Sequence, residues 1–243
     1  MRLLLTVQYK GTNFAGWQTQ PNLRTAQETL QKAIEKVTGE VVTLHASGRT
    51  DAGVHALDQK VHFDSNTVIP PEKLPFALNV RLPDDLKVLD ASVVADDFNA
   101  RFDVKKKTYV YKFYCSPHEY PLLFDGYAHL PLEPDYDKMR AVADAIEGTR
   151  DFKCFQATGG HVKTTIRTVY KIDVKKESNR YEISVCGNGF LYNMVRIIAG
   201  TLYYAGIGKI TVEDVKKAFE TKDRTLLGKT LEAKGLYLAK VEY

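Results

Sequence analysis

The chain has 243 residues, 44% apolar and 26% charged, with a formal net charge of +4. This is the profile of an ordinary globular protein of one large or two modest domains, and its mild basicity permits nucleic-acid binding without demanding it. Its three cysteines, Cys115, Cys154 and Cys186, are far apart and form no CxxC pair. That argues against a disulfide framework or a cysteine zinc site and for a reducing compartment. The apolar run Leu3–Leu5 is too short for a signal peptide, and Arg196 interrupts the one long weakly charged stretch, Gly187–Gly208. No membrane span is expected, and the location expected is cytoplasmic.

Leu3, Leu5, Val7 and Tyr9 alternate with polar residues, the period of a half-buried strand. A loop follows that carries Trp17, the only tryptophan. Thr25 and Glu28 have capping-box spacing, and Ala26, Leu30, Ala33, Ile34 and Val37 then mark one helical face, ended by Gly39. Strands are expected over the apolar runs Val41–Leu44 and Val61–Phe63, then a proline-rich helical segment from Pro70 to Val80 and a strand from Leu86 to Val94. The charged, aperiodic stretch from Asp96 to Lys107 reads as a joint, which divides the chain into 1–104 and 105–243.

In the second half Tyr109, Tyr111, Phe113 and Cys115 share one strand face. Tyr136, Met139, Val142 and Ile146 mark a helix closed by Gly148. Strands are expected at Ile166–Val174 and Tyr181–Val185, a buried helix over Phe190–Ala205, a capped amphipathic helix over Thr211–Glu220 and a last strand at Leu236–Val241. The irregular alternation predicts an α+β protein of two similar halves, each a mainly antiparallel sheet flanked by helices.

Two glycines bracket Arg49-Thr50-Asp51 within Gly48-Arg49-Thr50-Asp51-Ala52-Gly53-Val54-His55-Ala56. Glycines let such a segment turn sharply and let another molecule approach its backbone. A carboxylate beside a guanidinium stays ionised, so Asp51 is open to three roles: nucleophile, base, or half of a structural pair with Arg49. Arg196 is the only charged residue between Gly187 and Gly208 and needs an acid or an anionic ligand. It is either a buried structural ion pair or a group that reaches Asp51 or a substrate phosphate.

The tyrosines of the 109–114 strand suit a core or a stacking platform for a base. Lys105–Lys107 beside them, with Arg150, Lys153, Lys163 and Arg167, form a solvated face or a phosphate strip. The six histidines, His45, His55, His62, His118, His129 and His161, show no paired metal spacing. Phosphate-loop, GxGxxG and GxSxG motifs are missing, so no nucleotide cofactor is indicated. One candidate carboxylate remains. A catalytically silent RNA binder and a carboxylate glycosidase stay in view; the glycosidase needs a second acid, which the motif lacks.

The Gly48–Ala56 segment resembles the signature of the tRNA pseudouridine synthase A family. So do Gly16-Trp17-Gln18, Val61-His62-Phe63, Asp97-Phe98-Asn99-Ala100-Arg101-Phe102, Tyr109-Val110-Tyr111, Asn193-Met194-Val195-Arg196, Lys222-Asp223-Arg224-Thr225 and Ala233–Leu238, in family order over nearly the whole chain. Tyr9-Lys10-Gly11 and Asp58-Gln59-Lys60 depart from the usual pattern, and the Trp17 loop lacks a common arginine. The resemblance implies Asp51 as catalytic nucleophile, Tyr109 as active-site tyrosine, Arg196 as the carboxylate-pairing arginine and Arg49 as an RNA contact. It also implies an active-site cleft between the halves and isomerisation of uridine to pseudouridine at positions 38, 39 and 40 of the tRNA anticodon stem-loop. The enzyme would need no metal or cofactor and would act as a homodimer. RNA contacts are then expected at Arg101, Lys105, Lys107, Lys153, Lys163 and Arg167.

Overall fold

Alternation along the first strand decides one face of the first sheet: in β1 (Arg2–Tyr9) Leu3, Leu5, Val7 and Tyr9 are all buried and their neighbours are not. The computed structural model describes residues 1–160 and 162–243, so His161 lies outside the described residues. Contacts divide the chain into one unit of Met1–Lys105 with Tyr237–Tyr243, and a second of Lys106–Leu236.

The first unit contains α1 (Ala26–Thr38), β2 (His45–Ala46), β3 (His55–Asp64), α2 (Leu74–Asn79), β4 (Leu86–Val94) and the C-terminal strand β10 (Leu236–Glu242). β1 runs antiparallel to both β3 and β4, in the order β4-β1-β3-β10. β10 runs parallel to β3, with Tyr237 opposite His55 and Leu238 opposite Ala56. Leu30 and Ile34 of α1, Leu74 and Leu78 of α2, and Val61 and Phe63 of β3 are fully or almost fully buried. Each contributes roughly 1.5–3 kcal/mol by leaving water. Asn79 fixes α2 to the outer strand: its carboxamide donates to Val88 O and accepts from Val88 N, both at 2.8 Å.

The second unit contains β5 (Lys106–Cys115), β6 (Ala128–Leu130), α3 (Tyr136–Ile146), β7 (Gly148–Asp151), β8 (Ile166–Glu177), β9 (Arg180–Gly187), α4 (Met194–Gly206) and α5 (Val212–Thr221). Its sheet runs β5-β9-β8-β7, antiparallel throughout, with β6 parallel to β5. Tyr111 and Phe113 are fully buried, and Phe113 stacks on Tyr181 at 4.7 Å. Both units are therefore α+β with mainly antiparallel sheet.

Several expectations need correction. The Val41–Leu44 run is not a strand; only His45–Ala46 pairs with β3, and Val41 is 85% exposed. Half of the Thr25 capping box forms, because the Glu28 carboxylate pairs instead with Lys32, at 2.6 Å. The full box occurs at Thr211 with Asp214. The helix expected from Phe190 starts at Met194, since Asn193 adopts a left-handed backbone that a continuous helix cannot include. The strand expected to close the second half lies with the first unit: its partner is β3, which no local pattern encodes. The short strands β6 and β7 carry no period long enough to read.

Candidate active site

Asp51 sits on the eight-residue loop between β2 and β3, in a turn closed by Val54 N donating to Asp51 O at 3.1 Å. Gly53 occupies the third position of that turn with φ 79°, where a side chain would be strained. The Asp51 side chain is half-buried, while Thr50 and Val54 on either side are buried. A carboxylate reachable by a ligand thus stands on a fixed backbone.

Each leg of the loop is tied down. On the first, Ser47 and Gln59 are completely buried; Ser47 Oγ donates to Gln59 Oε1, and Gln59 Nε2 donates to Gly48 O, both at 2.7 Å. The Tyr9 hydroxyl meets Thr50 Oγ1 at 2.7 Å. Burial holds the Tyr9 hydroxyl well above the usual tyrosine range, so it stays protonated and able to donate.

The second leg rests on the loop after β1. Trp17 N donates to Thr50 O at 3.0 Å, Gly53 N to Phe14 O at 3.3 Å, and Gly11 N to His55 Nδ1 at 3.1 Å. His55 is 3% exposed and stacks on Tyr237 at 4.6 Å. Contact here is close enough to exclude side chains. A Cβ on Gly11 would lie 2.0 Å from Val54 O, and one on Gly16 2.8 Å from Thr50 O. The Gly16-Trp17-Gln18 landmark is thus the mould against which the Asp51 loop is cast.

Tyr109 lies on β5, 9% exposed, with its ring edge-on to Phe190 at 5.2 Å. Arg196 is in the first turn of α4, half-buried. Its Nε donates to Leu231 O at 2.6 Å and its Nη1 to Asn193 Oδ1 at 2.7 Å. Tyr111, on the same face of β5 as Tyr109, feels the Arg196 charge and donates its hydroxyl to Glu232 O at 2.8 Å. Gly200 lets the 228–231 segment press onto α4, for a Cβ there would fall 1.9 Å from Lys229 O.

Arg49 is exposed. Arg101 and Phe102 project from a tight turn in which Asn99 Oδ1 accepts from the N–H of both. Lys105, Lys153 and Lys163 are exposed, and Lys107 and Arg167 half-buried. Among the described residues Arg167 bonds the carbonyls of Thr164 and Ile166, and burial lowers its pKa. Arg224 is similar: it meets Leu227 O and Thr230 Oγ1 at 3.4 Å, and its pKa too is lowered, chiefly by burial.

Tyr9, Gln59, Asn193 and Arg224 were not among the sequence candidates. Tyr9 was read only as an apolar strand position, and Gln59 only as part of a departure from a motif. Among the described residues no group of three or more His, Cys, Asp or Glu could hold a metal ion. Cys115 and Cys154 are buried thiols whose pKa burial pushes up, to about 12 and about 11, which leaves them unreactive at neutral pH.

The first unit thus presents a half-buried carboxylate on a clamped loop, and the second a strand-borne tyrosine and a half-buried arginine. The chain belongs to the tRNA pseudouridine synthase family, whose pattern matches residues 5–103 and 142–243; members of that family are isomerases. Among its relatives, tRNA pseudouridine synthase A of Thermoanaerobacter sp. (strain X514) is 46% identical over 99% of this chain and 99% of its own. The enzymes of the same name from Ruminiclostridium cellulolyticum and Bacillus pumilus are each 44% identical, over 100% of this chain and 99% of theirs. Among solved structures, a chain of a Cbf5-Nop10-Gar1 complex aligns with 97% of this chain and 57% of its own, at 15% identity and a TM-score of 0.40, too distant to add to the assignment. No described helix is long and apolar enough to cross a membrane.

Proposed function

We propose that this chain isomerises uridine to pseudouridine at positions 38, 39 and 40 of the tRNA anticodon stem-loop, with Asp51 as nucleophile. The observation that carries the reading is the Asp51 loop itself. Its backbone is fixed from both legs by buried hydrogen bonds, while its carboxylate stays half-exposed. Such rigidity is what a reacting group needs and what a merely structural turn does not.

A paired uridine must first leave the stack to bring its glycosidic bond within reach. The Asp51 carboxylate then attacks ribose C1′ or uracil C6 to give a covalent intermediate. The C1′–N1 bond breaks, the detached uracil turns, C1′ bonds to C5, and the bond to Asp51 breaks to return the free carboxylate. The C5 proton is lost and N1 takes one up, so the net change is an isomerisation needing no oxidant, metal or cofactor. Tyr109 stacks on the base and assists removal of the C5 proton. Arg196 holds the carboxylate ionised, and Arg49 contacts the RNA. An enclosed site would keep the detached uracil from water. Arg101, Lys105, Lys107, Lys153, Lys163 and Arg167 bind the RNA backbone, which makes binding salt-dependent. The enzyme works as a cytoplasmic homodimer whose two subunits hold one tRNA.

The decisive experiment treats unmodified tRNA with purified protein and maps pseudouridine by position, for wild type and Asp51→Asn. Wild type is expected to modify positions 38–40 and Asp51→Asn to modify none while still binding tRNA. An inactive wild type that binds tRNA would make the chain a silent RNA binder instead, and an active Asp51→Asn would remove the nucleophile.

A further inference from the structure

Asn193 occupies the N-cap of α4, where an asparagine side chain ordinarily accepts a hydrogen bond from the N–H groups of the first turn. Here it caps nothing. Its backbone is left-handed, φ 58° and ψ 9°, a conformation uncommon outside glycine and tolerated best by asparagine and aspartate. The carboxamide instead reaches three residues forward, where Oδ1 accepts from Arg196 Nη1 at 2.7 Å. Arg196 Nε is held on its other side by Leu231 O at 2.6 Å, and Leu231 N returns a bond to Arg196 O at 3.4 Å.

A guanidinium is a planar fork of five N–H donors. Bonds at two of its three nitrogens fix that plane, and with it the direction of the donors on Nη2. Both acceptors are neutral and bring no countercharge to the group. We propose that Asn193 is a positioning residue: it forgoes its cap to set the plane of the Arg196 guanidinium and so fix the direction in which Nη2 presents its donors to an anionic group. The inference rests on the proposed function for what that anion does.

A purely structural role predicts a different residue. If the position served only the left-handed turn, glycine would fit it without strain. If it served only the helix, its side chain would cap. Asparagine in this conformation with its amide on Arg196 does neither. Aspartate is equally instructive: it keeps the shape and the tolerance of the backbone, but its charge would neutralise Arg196.

The test compares wild type, Asn193→Gly and Asn193→Asp in steady-state pseudouridine formation on unmodified tRNA, with Tm and tRNA affinity measured alongside. Asn193→Gly is expected to keep or raise Tm while kcat falls about 10- to 100-fold and KM changes less than about 3-fold. Asn193→Asp is expected to lose kcat similarly with unchanged tRNA affinity. Wild-type kcat in Asn193→Gly would overturn the proposal and leave the proposed function standing. So would losses of activity that follow losses of Tm in both variants. A wild type that forms no pseudouridine would overturn both.

Discussion

The Tyr9 hydroxyl and Thr50 Oγ1 lie 2.7 Å apart beneath the loop that carries Asp51, and Tyr9 and Thr50 are 3% and 6% exposed. This bond joins the last residue of β1 to the residue before the candidate nucleophile, so the first sheet directly sets where that nucleophile stands. Removing one partner leaves a buried polar atom unsatisfied, which costs about 1–3 kcal/mol. Tyr9→Phe is expected to lower stability by that amount and kcat by about tenfold, with a smaller change in KM. Gln59→Leu, which releases Ser47 and Gly48 together, is expected to lower kcat further. Urea denaturation and steady-state kinetics on tRNA check both; a Tyr9→Phe protein with normal kcat would show that Asp51 needs no such support.

Gly11 and Gly16 give the sharpest test of the mould. Gly11→Ala drives a Cβ to 2.0 Å from Val54 O, and both partners are backbone, so neither side can yield cheaply. A loss of about 3 kcal/mol or more is expected in chemical denaturation. Gly39→Ala meets no atom within 4 Å and bears only the strain of its φ of 77°, so it is expected to lose about 1 kcal/mol.

Arg196→Met keeps the aliphatic stem and removes the charge. Turnover is expected to vanish while tRNA affinity stays within about threefold, because the proposed phosphate contacts lie on other residues. Filter binding and pseudouridine mapping separate the two. Loss of binding in proportion to turnover would make Arg196 an RNA anchor instead.

His62 makes stability depend on pH. Its ring is 3% exposed, stacks on His45 at 4.8 Å, and accepts at Nδ1 from Ala100 N at 3.0 Å. Burial first, then the charges of His45 and Arg2, lower its pKa below 6.5, against the opposing pull of Asp64 and Asp103. The unfolded chain therefore binds a proton at higher pH than the folded one. This contribution is fully present above pH 6.5 and is lost as pH falls through 6.5 toward the lower folded value. Tm is expected to fall between pH 7.5 and pH 5.5, and His62→Gln, which can still accept from Ala100 N, is expected to flatten that dependence. An equal slope in the variant would assign the effect to other groups.

Arg167 bonds carbonyls, which bring no countercharge to its guanidinium. Arg167→Gln is expected to weaken tRNA binding and to reduce the slope of log K against log salt by about 1, as for one lost phosphate contact. Arg140, paired with Asp144 at 2.6 Å, serves as control: Arg140→Gln is expected to leave the slope unchanged.

Local periodicity was enough for β1, β4, α1, α3 and α5, because in each the alternation or the cap lies within the element itself. It overran the start of α4, where apolar residues continue through Phe190 to Val195 but the backbone reverses at Asn193. It also misplaced β10, whose residues look like any final strand and whose partner is some 180 positions away in β3. Asp51 stood out as a carboxylate between glycines, and Arg196 as a lone charge in an apolar run. Gln59 and Asn193 did not stand out, since a polar residue in sequence carries no mark of which atom its amide will meet.

The glycine-bracketed motif, by its composition alone, determined that Asp51 would sit in a sharp turn open to a ligand. The sequence likewise offers no paired cysteine spacing and no phosphate-loop motif. What holds that turn was decided only by tertiary structure. From its place in the triplet Arg49 was the natural partner for Asp51, yet it is exposed and the loop rests on Tyr9, Gln59, Trp17 and His55 instead. The physical reason is distance along the chain. Those groups come from β1, β3 and the loop after β1, and they converge only when the sheet's register brings Tyr9 opposite Ala56 and stacks the strands in order.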